Sequence, residues 1–401
     1  MVNLPADFVA ETRRIMGEER FNRFVGAFDE EAPTSVRVNP SKVSLADGER
    51  VPWCTEGYYL ADRPQFTFDP LLHAGCYYVQ EASSMFVTHI LRYYLSLSTQ
   101  HLSPHAALDM CAAPGGKSTA LRSVLPEDCV LVSNEPMGNR AQILLENITK
   151  WGAPNCIVTN NYPRDFRKAK LKFDMILCDV PCSGEGMFRK DPNAINEWSQ
   201  QNVEKCWQLQ REIVADAWEC LNPGGLFIYS TCTYNTKENE ENIQWILENF
   251  DAEVINIPVE PSWNITGSLL EGFNKPVYRF IPGITRGEGL FACALRKAGT
   301  PSQHPFNTKK LTLKVLESEM PQGDLPHVEV DYPEALKYLR GEALVLPPDT
   351  PRGLVTITYQ EQPLGPAKNI GNRANNLYPK AWRIKSTHLP GEAPKVLLND
   401  K

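Results

Sequence analysis

No run in this 401-residue sequence approaches the apolar length that crosses a bilayer, which takes about 20 consecutive residues. The amino-terminal Met-Val-Asn-Leu-Pro-Ala-Asp-Phe has no basic region leading into an apolar run, so no export leader is expected. The 11 cysteines lack paired spacing and read as reduced thiols of a cytoplasmic protein. Histidine is scarce, and none of the 7 stands near Cys178 or Cys182, the cysteines closest to a metal-ligand pattern, so no metal is expected. Phosphate-chain motifs are missing too. The Gly-Lys-Ser triplet at 116–118 would need a glycine where Cys111 stands to be a Walker A loop, and no three-glycine dinucleotide fingerprint occurs. A net charge of −7 argues against nucleic-acid binding by the whole surface but leaves room for local basic patches. Internal repeats and low-complexity tracts are absent.

The chain does have a regular alternation of apolar runs and helical patterns. Residues 1–100 read as an α+β accessory unit, with amphipathic helix from Ala6 to Phe28, a strand from Ser35, and a Tyr77–Ser84 stretch leading into a helix. From Ala106 to Arg296, strands and helices alternate, which predicts a doubly wound parallel sheet over 101–297. A Gly/Pro/Ser-rich linker is expected at 298–308, and a small β-rich domain at 309–401.

Three loops of the sheet region carry chemistry. Phe173 to Asp179 is a short apolar run without polar alternation, a buried parallel strand, and the following Val-Pro-Cys-Ser-Gly-Glu-Gly cannot continue it. In open α/β folds that loop lies where ligands bind. A lone Pro-Cys dipeptide is ordinarily a cysteine in a tight turn, but a second strand ends in Ser230-Thr-Cys-Thr-Tyr234, so Cys182 and Cys232 can face one pocket. The third loop, Leu108 to Ser118, joins a strand to a helix through Gly115 and Gly116, where a ligand can approach the backbone. Glu135 follows Asp109 by 26 residues, the place of the acid that takes ribose hydroxyls. Together these point to an adenosyl ligand without a phosphate chain.

Cys-Ala-Ala-Pro-Gly-Gly-Lys, Asp-Val-Pro-Cys-Ser-Gly-Glu-Gly-Met-Phe and Ser-Thr-Cys-Thr-Tyr, in this order, resemble the RNA 5-methylcytosine methyltransferases of the NOL1/NOP2/Sun family over residues 20 to 297. Lys368 to Lys380 looks like the carboxyl-terminal PUA-like region of the bacterial RsmF-type members. The resemblance implies a Rossmann-like S-adenosylmethionine-dependent sheet with a PUA-like tail. It also implies that S-adenosylmethionine is held by Cys111, Ala112, Ala113, Pro114, Gly115, Gly116 and Lys117, with Glu135, Arg140 and Asp179. Asn160 or Asn161 stands where the family often has an acid near the adenine. Cys232 matches the nucleophile, Cys182 the cysteine that assists product release, and Asp179 is placed to hydrogen-bond the cytosine ring.

RNA would need its own surface. Arg164, Arg167 and Lys168 lie in one basic cluster, and Lys368, Arg373, Lys380, Arg383 and Lys385 form an acid-free stretch with Tyr378 and Trp382 interleaved. A basic run is usually a solvated face. Two aromatics within a run of net +5 turn the reading toward RNA contact and base stacking. The substrate implied is 16S ribosomal RNA or the 30S subunit, met by a monomer. Transfer RNA is the alternative substrate, and a non-catalytic RNA-binding protein the alternative class. A DNA cytosine methyltransferase would need neither the Cys232 loop nor such a tail.

Overall fold

The computed structural model describes residues 3–43, 48–97, 103–301, 306, 312–320, 325–386 and 388–396. Helices α1 (Ala6–Met16) and α2 (Glu18–Gly26) meet at Gly17 and bury Phe8, Met16, Phe21 and Phe24 at helical spacing. Strands β1 (Thr34–Val38), β2 (Glu49–Arg50) and β3 (Gly57–Leu60) follow, then the short helix α3 (Pro70–His73) and strand β4 (Tyr77–Val79). These strands form an antiparallel sheet in the order β2-β3-β1-β4. Helix α4 (Phe86–Ser96) leads into the large sheet.

That sheet is built from β5 (Ala106–Asp109), β6 (Val130–Asn134), β7 (Cys156–Thr159), β8 (Phe173–Asp179) and β9 (Leu221–Thr231), all parallel. Between them run α5 (Gly116–Arg122), α6 (Gly138–Trp151), α7 (Pro163–Lys168), α8 (Pro192–Glu197) and α9 (Gln200–Cys220). Alternate residues of each strand face opposite layers. Ala107, Leu131, Leu177 and Ile228 pack into one core, and Leu108, Val132, Ile176 and Phe227 into the other. The Ser199 hydroxyl caps α9, accepting from the Asn202 amide at 3.1 Å.

The expected all-parallel sheet is corrected at its edges. After α10 (Glu240–Asn249), strands β10 (Ala252–Val254), β11 (Tyr278–Phe280) and β12 (Leu290–Lys297) are joined antiparallel, β12 lying against β9. On the far edge β13 (Val315–Leu316) pairs antiparallel with β7, giving the path β10-β12-β9-β8-β5-β6-β7-β13 with β11 on β12. Strand direction depends on how the connection returns, which alternation of apolar runs does not encode. Strand β13 falls in the stretch expected to belong wholly to a separate domain. Residues 302–305 and 307–311 of the expected linker and domain start lie outside the described residues.

The carboxyl-terminal unit has β14 (His327–Glu329), α11 (Tyr332–Arg340), β15 (Gly353–Tyr359), β16 (Gln362–Asn369) and β17 (Ala374–Asn376), the strands paired in that order. It docks on the amino-terminal sheet: Val36, Tyr58 and Tyr77 share one apolar cluster with Val328, Tyr338 and Tyr378. The Tyr332 hydroxyl donates to the Phe68 carbonyl at 3.1 Å.

Candidate active site

Parallel pairing brings the carboxyl ends of β5 to β9 to one edge, so Asp109, Glu135, Asp179 and Cys232 lie along it. Beyond β5, Gly115 takes a φ of 113° at the start of α5, a conformation glycine adopts without Cβ strain. The loop lines a cavity of about 190 Å³ with Asp109, Cys111, Ala112, Ala113, Pro114, Gly116, Lys117 and Asp179. A Cβ on Gly116 would stand 3.3 Å from Tyr78 and 3.4 Å from Gln80, on the opposite wall.

Two buried carboxylate oxygens at this edge accept no hydrogen bond, Asp109 Oδ1 and Glu135 Oε2, the second with only the Arg140 guanidinium near it at 3.5 Å. Buried acceptors are ordinarily satisfied, so these two fit a ligand that brings donors, as an adenosyl group with its ribose hydroxyls and amino-acid end would. Glu135 Oε1 accepts from the Met137 amide at 2.9 Å, while Arg140 reaches Glu135 at 3.5 Å and donates to the Ala113 carbonyl at 3.0 Å. Asn134 ties the strand ends together, donating to the Met110 and Asn161 carbonyls and accepting from Thr159. Asn160 donates to the Glu135 and Pro136 carbonyls, and its Oδ1 accepts from Lys314 at 2.7 Å. Burial pushes Asp109 up to about 7, although the Ser118 hydroxyl donates to it at 2.7 Å.

Asp179 is held on both oxygens, by Lys117 Nζ at 2.7 Å and by the Ser230 hydroxyl at 2.7 Å. Burial alone would lower the Lys117 pKa, but the charge and hydrogen bond of Asp179, with Cys232 close by, hold it above its ordinary value. Lys117 thus connects the cavity to the thiols.

The sulfur atoms of Cys182 and Cys232 are 3.1 Å apart. The hydrogen bond with Cys232, and then burial, raises Cys182 well above the ordinary thiol range. Cys111 and Cys178 are raised well above that range by burial and offer no thiolate. The two thiol loops are bolted together. Gly186 donates to the Cys232 carbonyl at 2.7 Å, and a side chain at Gly186 would collide with that carbonyl. The buried Glu185 accepts from the Tyr234 and Asn235 amides, the Asn235 side chain and the Trp198 indole. Glu238 accepts from the Ser183 amide, Asn235 and Gln210, and burial with Glu185 beside it pushes it up to about 7. Phe8 and Phe24 brace the same loops edge-on, 5.0 Å from the Phe188 ring and 4.9 Å from the Tyr234 ring.

The expected RNA residues scatter more widely. Arg164, Arg167 and Lys168 are exposed on α7, with Arg167 paired to Asp216 at 2.9 Å. Lys368, Arg373 and Lys380 are exposed on the carboxyl-terminal unit, and Trp382 is half-buried with Lys150 5.5 Å above its ring. Tyr378 is corrected. It is 1% exposed, with its ring against Tyr338 and Trp382, so it has no face for a base. Arg383 turns inward as well, donating to the Tyr378 carbonyl at 3.1 and 3.3 Å.

Sequence reasoning missed the opposite wall of the cavity, Tyr78, Gln80, Glu81 and Ser84. The signal was the polar string directly after an apolar strand. It also missed Arg37, fully buried, which donates to Gln80 at 2.7 Å and to Thr119 and so locks β1 to α5. Burial lowers Arg37 to about 10. Among the described residues no group of three metal-ligating side chains is gathered, and no helix is long and apolar enough to cross a membrane.

A five-strand parallel core with an antiparallel strand beside its last member, a glycine loop after its first and an acid after its second is the sheet of a Rossmann-like methyltransferase. The sequence agrees with that class throughout. The profile of 16S rRNA methyltransferase RsmB/F matches residues 97–296, that of the N-terminal domain of 16S rRNA methyltransferase RsmF matches 4–82, and that of the methyltransferase RsmF PUA domain matches 325–384. The chain therefore belongs to the RsmB/F methyltransferase family. Ribosomal RNA small subunit methyltransferase F of Pectobacterium atrosepticum is 35% identical over 317 residues, 74% of this chain and 63% of that one. Its Escherichia coli counterpart is 33% identical over 319 residues, covering 74% and 64%. The match thus spans a little under two thirds of these relatives. Among solved structures, a methyltransferase homolog from Pyrococcus horikoshii aligns with a TM-score of 0.62 at 28% identity, over 74% of this chain and 96% of that one. NSun6 from the same organism aligns at 0.61 and 20% identity, over 74% and 99%, a likeness of fold alone.

Proposed function

We propose that this chain methylates carbon 5 of a cytosine in 16S ribosomal RNA, acting as a monomer in the cytoplasm on the naked RNA or the 30S subunit. The observation that carries the reading is the pair of thiols, Cys182 and Cys232, at 3.1 Å on the carboxyl edge of a methyltransferase sheet. Carbon 5 of cytosine is a poor nucleophile, and a transient bond at carbon 6 activates it. S-adenosylmethionine, the methyl donor used by the family, supplies an electrophilic methyl on its sulfonium when bound. Cys111 to Lys117, Asp109, Glu135, Arg140 and Asn160 would hold it, the two carboxylate oxygens that accept no hydrogen bond taking its donors.

In this reading Cys232 loses its proton and its sulfur adds to carbon 6, pushing the C5–C6 π pair toward carbon 5. Asp179, fixed by Lys117 and Ser230, hydrogen-bonds the ring as charge develops on it. Carbon 5 uses that pair to form its bond to the methyl carbon, the bond from that carbon to the sulfonium sulfur breaking and S-adenosylhomocysteine leaving. Transfer of the carbon 5 proton to solvent water then restores the double bond and breaks the bond from carbon 6 to sulfur, Cys232 leaving as thiolate with Cys182 beside it to assist. The target base must leave its stack to reach the thiols. The exposed cations Arg164, Arg167, Lys168, Lys368, Arg373 and Lys380, with Trp382, would hold the surrounding RNA. Residues 1–100 would brace the thiol loops, 101–297 carry the reaction and 309–401 hold RNA.

The test is methyl transfer from labelled S-adenosylmethionine to 16S RNA, 30S particles and total transfer RNA, with bisulfite sequencing of the acceptor. Label at carbon 5 of a 16S cytosine is expected. Transfer to transfer RNA alone would sink the substrate assignment, and no transfer to any RNA would sink the reaction.

A further inference from the structure

The sheet does not stop at the last strand of the alternating region. Strand β13 is laid antiparallel on β7, with Val315 opposite Thr159 and Leu316 opposite Val158, directly below the loop that carries Asn160 and Asn161. Lys314 is the point of attachment. Its carbonyl accepts from the Asn160 amide and the Asn161 side chain, both at 3.0 Å, and its amide donates to Asn161 Oδ1 at 3.0 Å. Its ammonium donates to Asn160 Oδ1 at 2.7 Å. The Asn160 side-chain amide in turn donates to the carbonyls of Glu135 and Pro136, at 2.9 and 3.0 Å. A continuous chain of hydrogen bonds thus runs from Lys314 to the backbone of Glu135. Leu316 packs on the apolar cluster of Ala112, Ala113, Leu144 and Ile148, which includes the cofactor loop itself.

We infer that residues 314–316 form the outer wall of the adenosyl site, and that Lys314 is a positioning residue that fixes Asn160 and Asn161 for the purine. This rests on the proposed S-adenosylmethionine site. If Glu135 takes the ribose, the base extends toward the next strand outward, β7, and that strand ends under Lys314. The stretch following Lys297 then has a second duty besides joining the units. It completes the pocket, and a cut after Lys297 would strip a wall from it.

The experiment uses the full chain with Lys314→Ala and Lys314→Arg. S-adenosylmethionine and S-adenosylhomocysteine are titrated calorimetrically, KM for each substrate and kcat are measured, and the unfolding midpoint is recorded without ligand. Lys314→Ala should weaken both adenosyl ligands by roughly three- to tenfold, the equivalent of about one ordinary hydrogen bond. KM for S-adenosylmethionine should rise to match, with kcat and KM for RNA unchanged, and Lys314→Arg should restore most of the affinity. A lowered unfolding midpoint with unchanged adenosyl affinity would overturn the inference, because the segment would then be only a structural edge strand. So would a fall in kcat at constant KM. If the unaltered chain binds no S-adenosylmethionine, the underlying site assignment fails, and the inference with it. Binding by the unaltered chain and an unaffected variant would overturn the inference alone.

Discussion

Cys182 and Cys232 stand 50 residues apart in the chain and 3.1 Å apart at their sulfur atoms, each on the loop that leaves one of two neighbouring parallel strands. The hydrogen bond between them, with burial, raises Cys182 well above the ordinary thiol range. In the proposed reaction the two have different roles: Cys232 bonds to the base, and Cys182 assists when that bond must break.

Cys232→Ala should abolish methyl transfer and yield no covalent adduct. Cys182→Ala should instead accumulate protein joined to RNA, seen as a slow band on a denaturing gel. The reverse pattern would exchange the two roles.

Glu185 receives four hydrogen bonds, three of them from residues just beyond Cys232. Removing the carboxylate leaves buried donors unpaired, each costing about 1 to 3 kcal/mol. Glu185→Ala should lower unfolding stability by about 3 kcal/mol or more and cut kcat, while Glu185→Gln, which keeps one acceptor, should lose less of both. Urea denaturation and single-turnover rates measure this. Equal losses in the two variants would mean that the acceptor geometry is unimportant.

Asp109 gives a pH dependence. Its folded pKa is raised to about 7 by burial, so its stabilising contribution is fully present below the ordinary aspartate range near 4 and is lost as pH rises through about 7. Asp109→Asn is neutral throughout, so denaturation at successive pH values should show the wild type losing stability relative to the variant between these limits. The slope should be at most about 1.4 kcal/mol per pH unit, flattening above the upper limit. A constant gap would show that Asp109 titrates normally.

Replacing Lys368, Arg373 and Lys380 together by glutamine should weaken RNA binding without altering S-adenosylmethionine affinity. The slope of log affinity against log salt should become shallower by roughly 0.7 to 0.9 for each phosphate that is no longer neutralised. Tyr378→Phe, which changes a buried ring, should leave that slope alone. An unchanged slope in the triple variant would remove the carboxyl-terminal face from the RNA path.

Much was legible in the sequence because it is local. Apolar periodicity marks the Phe173–Asp179 strand and the buried stripe of α9, and Pro181 with Gly184 and Gly186 announces that the chain must turn after Asp179. Two strands of one sheet, each ending near a cysteine, already imply that Cys182 and Cys232 share an edge. What lay outside the sequence was everything set by return paths and side-chain parity. Whether β12 runs with or against β9 depends on the excursion through β10 and β11, and β13 joins β7 because the chain returns to that edge after leaving the sheet at Lys297. Tyr378 sits in a basic, aromatic stretch that reads as an RNA surface, yet its side chain falls on the inward side and is buried. Arg37 looks like one surface cation among many until β1 is laid on α5, where its guanidinium has no water and must bond Gln80 and Thr119. Composition and spacing determine which segments form elements and which loops must open; only tertiary packing decides which groups lose their water, and burial is what turns Glu185, Asp109 and Arg37 from ordinary charges into parts of the site.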